Sequence, residues 1–448
     1  MDTTDRVLDF IRGLRISDIP HHVLHQGKRC LLDTVGAVLA GTATPVARMM
    51  ADYARLHYRE GRCTVLAGNT PLSPVGACLA NGYAANALDI DDGYRLVKGH
   101  PGACLLPVLL AAAEDAENPP DGRELLTAAI VGYEIALRAG LVRNADPETY
   151  YTSGSWGAVG GAAVAGRLFG LWGKTLREAL GAADYHAPAG FVMKGVATPC
   201  MAKDGVGWGA MVAMASALMA REGFTAAEPL FDEPMAAPLV EELGEKYRIL
   251  DLYFKPFCAC RWAQPAVAGA LQIVREHSLS LDAIESIRIE TFRNAAALSR
   301  VHPTNTEQAQ YNFSYPVAVA LADGRVSPEQ VLPPRIFDLK LLELMDSIRV
   351  EVNPQFEAAF PRKTISQVHI RTRDGRELTS GPVEPRWEPP DTLPSDAELE
   401  GKFQSIVGPI LGEEEAGRLS ERIWNIEDAR SVKEILPVRG CIGSRAGP

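Results

Sequence analysis

GAVGGAAVAG (157–166) and GWGAMVAMASALMA (207–220) are apolar, uncharged and built largely from the smallest side chains. Glycine in a helix interior costs up to about 1 kcal/mol relative to alanine. Several in one segment therefore point to helices whose backbones must approach closely, and both stretches are expected at the centre of a helical bundle. Working outward, VLDFIRGL (7–14) carries apolar residues at 7, 8, 10, 11 and 14, a helical period. CLLDTVGAVLAG (30–41) is an apolar run stopped by glycine. LLPVLLAAAED (105–115) and LLTAAIVGYEIALRA (125–139) are too long for typical strands.

The texture changes after residue 263. IRIETF (287–292), IRVEV (348–352) and VHIRT (368–372) alternate apolar and polar residues, as half-buried strands do. Asp374-Gly375 supplies hairpin turn chemistry before ELTS (377–380). Helical patterns at 262–274 and 315–322 lie among these strands, and a proline-rich stretch, EPRWEPPDTLP (384–394), ends the region. Ser395 and Glu398 then form a capping box that restarts helix. The expected fold is mainly α: a large helical domain from both chain ends (1–262 and 395–448) with an inserted α+β lid domain (263–394).

The 448 residues are 47% apolar, enough to bury a substantial core, and carry a net charge of −11. An acidic chain lacks the footprint of a nucleic-acid binder. No run of 18 apolar residues suggests a membrane span. The N-terminus, MDTTDRVLDF, is unlike a secretory signal. Eight scattered cysteines fit reduced thiols and a cytoplasmic setting. Cys258-Ala-Cys260 lacks the second pair of a metal site. The glycines at 160–166 lie in a helical pattern with no strand before them, which argues against a dinucleotide loop.

ALDIDDGYRLVKGHPG (87–102) concentrates titratable groups in one loop. Its carboxylates read as a solvated cap, a metal run or half of an active site. Lys98 and His100 favour the last: histidine is easily tuned to carry a proton near neutral pH, and a lysine can hold a carboxylate or stabilise an enolate.

NGYAANALDIDD (81–92) followed by GHPGA (99–103) resembles the signature of the MmgE/PrpD family. The resemblance extends through 30–41, WGAVGGAAVAGRLFGL (156–171), KPFCACRW (255–262), AQYNFSYPVAVA (309–320) and the closing helix at 398. It implies a helical domain joined to an α+β lid, a homodimer, and chemistry without metal or organic cofactor. The shared step moves a proton at a carbon beside a carboxylate of a small di- or tricarboxylate. Members include 2-methylcitrate dehydratase, cis-aconitate decarboxylase and iminodisuccinate epimerase. Asp89 and His100 match the family's acid and histidine. The lyases carry further histidines where this chain has Tyr151, the stretch CMAKDGVGWG (200–209) and Gln264.

A tyrosine can return a proton from the face opposite a histidine, as epimerisation requires, if a cation lowers its pKa. The reading is therefore a cofactor-independent epimerase of iminodisuccinate type, with a lyase as the alternative. A member that only binds a metabolite is a third possibility. His100 and Tyr151 form the expected proton-transfer pair, with Lys98 tuning and Asp89 orienting. Lys203, Arg261, Asp92, Arg95 and Gln264 are the expected substrate-binding residues. Tyr151 could equally be a packed helix-start residue, Lys203 a surface lysine, and Arg261 the partner of an internal carboxylate.

Overall fold

The computed structural model describes residues 2–435 apart from 67, 69, 147 and 148. Its first part is helical: α1 (Thr3–Gly13), α2 (His21–Gly41), α3 (Pro45–His57), α4 (Pro74–Asn86), α5 (Pro101–Asp115), α6 (Gly122–Arg143), α7 (Ser153–Leu168), α8 (Gly173–His186), α9 (Val192–Ala197), α10 (Val206–Arg221) and α11 (Ala237–Glu241). The two small-residue stretches are α7 and α10, and both are central. A Cβ on Gly82 of α4 would lie 2.8 Å from the Cα of Gly207, and one on Gly209 would lie 2.6 Å from the Cα of Gly154. Larger residues would push these helices apart, which is why the sequence accepts glycine's helical cost there. Helix α6 is long and apolar enough to cross a bilayer, but it is almost entirely buried among its neighbours.

The lid begins with α12 (Gln264–His277), which packs on a four-stranded sheet of order β2-β1-β3-β4. β1 (Ile284–Thr291) runs parallel to β2 (Ile348–Val352) and antiparallel to β3 (Ser366–Thr372). β3 turns through Asp374 and Gly375, the latter at φ +88°, into β4 (Glu377–Val383). Short helices α13 (Arg293–Ala296), α14 (Thr306–Gln310), α15 (Ser314–Asp323), α16 (Pro328–Val331), α17 (Leu339–Asp346) and α18 (Pro354–Ala359) complete it.

Ser395 and Glu398 form the expected capping box of α19 (Asp396–Leu411), which is followed by α20 (Glu413–Trp424). These helices return to the first bundle. Phe403 of α19 fills the space beside Gly36 of α2, and Lys402 pairs with the buried Asp33. The fold is therefore mainly α with a small mixed sheet.

Candidate active site

The loop between α4 and α5 is held from many sides. Its backbone forms a narrow turn in which Tyr94 N donates to Gly99 O, and Gly93 exchanges two backbone hydrogen bonds with Tyr253. A Cβ on Gly93 would meet the Tyr253 ring at 2.3 Å, so the close approach requires glycine. Asp89 and Lys98 adopt φ +52° and +53°, a left-handed geometry that needs outside support in non-glycine residues. The support comes from distant elements. Lys402 donates to Ile90 O at 2.7 Å, Gln310 Nε2 to Ala87 O at 3.0 Å, and Lys255 Nζ to Asp89 O at 3.0 Å.

His100 precedes α5 and is buried. Its backbone N–H donates to Ser153 Oγ at 2.9 Å, and Ser153 in turn donates to Asp204. Nδ1 lies 3.0 Å from the Asp92 carbonyl and 3.1 Å from the Asp91 carboxylate. Nε2 lies 3.5 Å from Asp89 Oδ1, which also accepts from Lys255 at 2.9 Å. Burial opposes the charged imidazole, but Asp91 and, less strongly, Asp89 outweigh it, so the His100 pKa rises above its ordinary value. Burial also disfavours the Asp91 carboxylate, yet His100 and Lys255 hold its pKa down to about 2. Asp92 follows the opposite course: burial and the nearby Asp33 push it up to about 7.

His100 lines a cavity between the bundle and the lid. Asp89, Arg95, Lys98, Asp204, Lys255 and Glu388 supply most of its remaining charge. Burial pulls the Lys98 pKa down to about 8, and its ammonium rests 3.6 Å from the centre of the Tyr150 ring. Arg261 is buried, with its guanidinium 4.3 Å from the Tyr253 ring centre. Trp262, Phe360 and Pro361 form an apolar lid wall. Clustered cations beside an apolar wall suit a small anion with a short carbon skeleton.

Several expected residues lie elsewhere. Tyr151 is outside the cavity lining: its ring packs 5.1 Å from that of Phe191, and Arg143 lies over it. Asp92 faces inward, accepting from Tyr133 at 2.6 Å and from Gly102 N at 3.0 Å, so it braces α5 and α6 rather than substrate. Gln264 spends its amide on the carbonyls of Phe257 and Ala259 and accepts from Arg261, which makes it a brace for that arginine. Lys203 lines a neighbouring cavity and donates to Gln310 at 2.8 Å. Asp89, Arg95, Lys98, His100 and Arg261 do converge.

The sequence reading missed Lys255, Asp204, Tyr253, Tyr311 and Glu388 as lining residues. Lys255 opens the KPFCACRW stretch, and Asp204 directly follows Lys203, so both sat beside residues already singled out. Glu388 gave no signal within its proline-rich linker. Asp89, Asp91 and His100 also bring one ligand atom each within 4.8 Å of one another, a spacing that could hold a metal ion. Lys255 already provides a cation against Asp89 there.

The MmgE/PrpD N-terminal domain model matches residues 5–239, and the C-terminal domain model matches 257–428. Cis-aconitate decarboxylase of Homo sapiens is 26% identical over 95% of this chain and 92% of its own length. The Mus musculus protein of that name is 25% identical, over 97% and 93%. The Aspergillus terreus protein of that name is 23% identical, over 98% and 96%. With matching domain models across both halves and one cavity between bundle and lid, this chain belongs to the MmgE/PrpD family of enzymes.

Proposed function

We propose that this chain is a lyase that removes CO2 from a small unsaturated polycarboxylate of the cis-aconitate class. The observation that carries the reading is His100, held by carboxylates at both ring nitrogens in a cavity rich in cations. Those carboxylates favour a protonated imidazole, and a decarboxylase needs an acid. The epimerase reading needs a free base and a second proton carrier, and its expected carrier, Tyr151, packs on Phe191 away from the cavity. Relatives named as decarboxylases point the same way.

The chemistry requires a carboxylate on a carbon next to a C=C bond. As the C–CO2 bond breaks, its electron pair forms a new C=C and the old π pair moves to the far carbon. That carbon takes a proton from His100 Nε2, the ring nitrogen left beside Asp89. The developing charge spreads into the carboxylate next to the far carbon, where Lys98 can hold it. A leaving carboxylate placed against Trp262 and Phe360 loses solvation that neutral CO2 does not need. Asp91 and Lys255 act through His100 and Asp89 and are positioning residues.

The test is NMR in D2O with cis-aconitate and with glutaconate, which lacks the central carboxyl. The expected result is CO2 release from at least one, with one deuterium on the former alkene carbon and no release by His100→Gln. Binding of both without loss of CO2 would refute the reading. Exchange of hydrogen without CO2 loss from iminodisuccinate, tested alongside, would restore the epimerase.

A further inference from the structure

Arg95 and Arg261 come from different parts of the chain, the signature loop and the entry to α12, and share one carboxylate. Glu388 Oε1 lies 2.9 Å from Arg95 Nη1, and Oε2 lies 2.8 Å from Arg261 Nη2. All three residues line the catalytic cavity. Glu388 is held by its own turn: its N–H donates to Thr392 Oγ1 at 3.0 Å and its carbonyl accepts from Thr392 N at 3.0 Å. Trp387 before it has φ +65°. Arg261 is equally constrained, because Nη1 donates to the carbonyls of Phe254 and Arg386. Both arginines retain a buried Nε with no hydrogen-bond partner among the described residues.

Two guanidiniums converging on one point make a strong carboxylate site. Here the chain fills that site with its own side chain. Lys255 is likewise committed to Asp89. Lys98 has no carboxylate within ion-pair distance among the described residues, so it carries the cavity's least committed positive charge, while His100 is already paired with Asp89 and Asp91. A substrate carboxylate can pair with Lys98 without displacing Glu388, so each carboxylate added to the substrate is harder to match. A third carboxylate must compete with Glu388 for Arg95 and Arg261, or remain uncompensated.

We propose that Glu388 is a specificity-determining residue: it occupies the place of a substrate carboxylate between Arg95 and Arg261 and biases this enzyme toward dicarboxylates over tricarboxylates. The proposal rests on the reading of the cavity as a polycarboxylate site, but not on the reaction that follows.

The test is calorimetric binding of succinate and of tricarballylate, two unreactive probes that differ by one carboxylate arm. The protein would be the full chain as wild type, Glu388→Gln and Glu388→Asp, each checked for folding by thermal melting. Wild type is expected to bind succinate at least as tightly as tricarballylate. Glu388→Gln should shift the affinity ratio toward tricarballylate by about tenfold or more, the size of a lost charged competitor. Glu388→Asp is too short to span both arginines and should shift it the same way by about threefold, which keeps the test open if the glutamine variant fails to fold.

An unchanged ratio, or equal weakening of both ligands, overturns the proposal and leaves Glu388 a structural strap. Failure of every protein to bind either probe overturns it together with the polycarboxylate reading. A shifted ratio without any CO2 release from cis-aconitate or glutaconate supports the specificity role and removes only the proposed reaction.

Discussion

The helical wall of the cavity and the lid wall face each other but are held differently. On the helical side, Asp89, Asp91 and His100 are nearly inaccessible, and each is tied to groups from other elements: Lys255, Asn86 and Ser153. On the lid side, Trp262, Phe360 and Phe292 pack ring against ring, with 4.7 Å between the stacked Phe292 and Phe360. Polar groups out of water need specific partners, whereas aromatic surfaces tolerate adjustment. The comparison teaches that the wall carrying His100 is positioned by specific polar partners, while the lid wall is positioned by ring packing.

The largest expected effect is on the helical wall. Replacing His100 with Gln removes the proposed acid, and kcat should fall by roughly 10²- to 10⁴-fold. Binding of unreactive succinate should change far less, as calorimetry would show. A kcat within a few-fold of wild type would place the acid elsewhere.

Next comes Lys255→Met, which leaves the Asp89 carboxylate buried without its ammonium partner. Urea unfolding should show a loss of about 3–5 kcal/mol. The control is Arg371→Gln on the lid sheet, which breaks an exposed pair with Glu285. That should cost less than about 1 kcal/mol. Equal losses would erase the contrast between a braced wall and a tolerant one.

Asp92 and Lys98 sharpen the comparison through pH. Asp92 stays protonated in the folded chain until about pH 7, while the unfolded chain releases that proton near an ordinary carboxyl value of ~3.9. Between these values the folded state binds more protons, so stability falls as pH rises, with a slope of up to about 1.4 kcal/mol per pH unit. Asp92→Asn should remove this slope. Thermal melts at pH 8 should then favour the variant, and at pH 4 they should differ little. A melting difference independent of pH would show that Asp92 is not titrating there.

Lys98, lowered to about 8 by burial, should lose its charge above that pH, and KM for a polycarboxylate should rise. Lys98→Arg keeps the charge, because guanidinium remains protonated beyond pH 12, and should extend the low-KM range by at least about two pH units. An alkaline limb that stays near pH 8 in the variant would assign it to another group.

Much of the fold was readable from residues. The glycines of 157–166 and 207–220 anticipated α7 and α10, the three period-two stretches after 284 anticipated β1, β2 and β3, and the Asp374-Gly375 turn anticipated β4. Ser395 and Glu398 anticipated the start of α19. The site was legible only in its local part. Asp89, Lys98 and His100 fall within twelve residues, whereas Lys255, Asp204 and Glu388 reach the same cavity from far along the chain. Tyr151 and Gln264 stand where the resemblance places family histidines. Position in the sequence could not say that Tyr151 packs on Phe191, or that Gln264 serves two carbonyls.

Sequence by itself determined the helical bundle, the inserted sheet and the loop that carries the titratable groups, because period and residue size are local properties of a chain. Only the tertiary structure decided which charges reach the cavity and which are already matched. Asp91 and Asp92 are adjacent and chemically identical, yet one is held down to about 2 by His100 and the other driven up to about 7 by burial and Asp33. The Arg95–Glu388–Arg261 cluster likewise joins the signature loop to a segment nearly 300 residues away. Charge interactions depend on distance in space and on exclusion of water, and neither is set by distance along the chain.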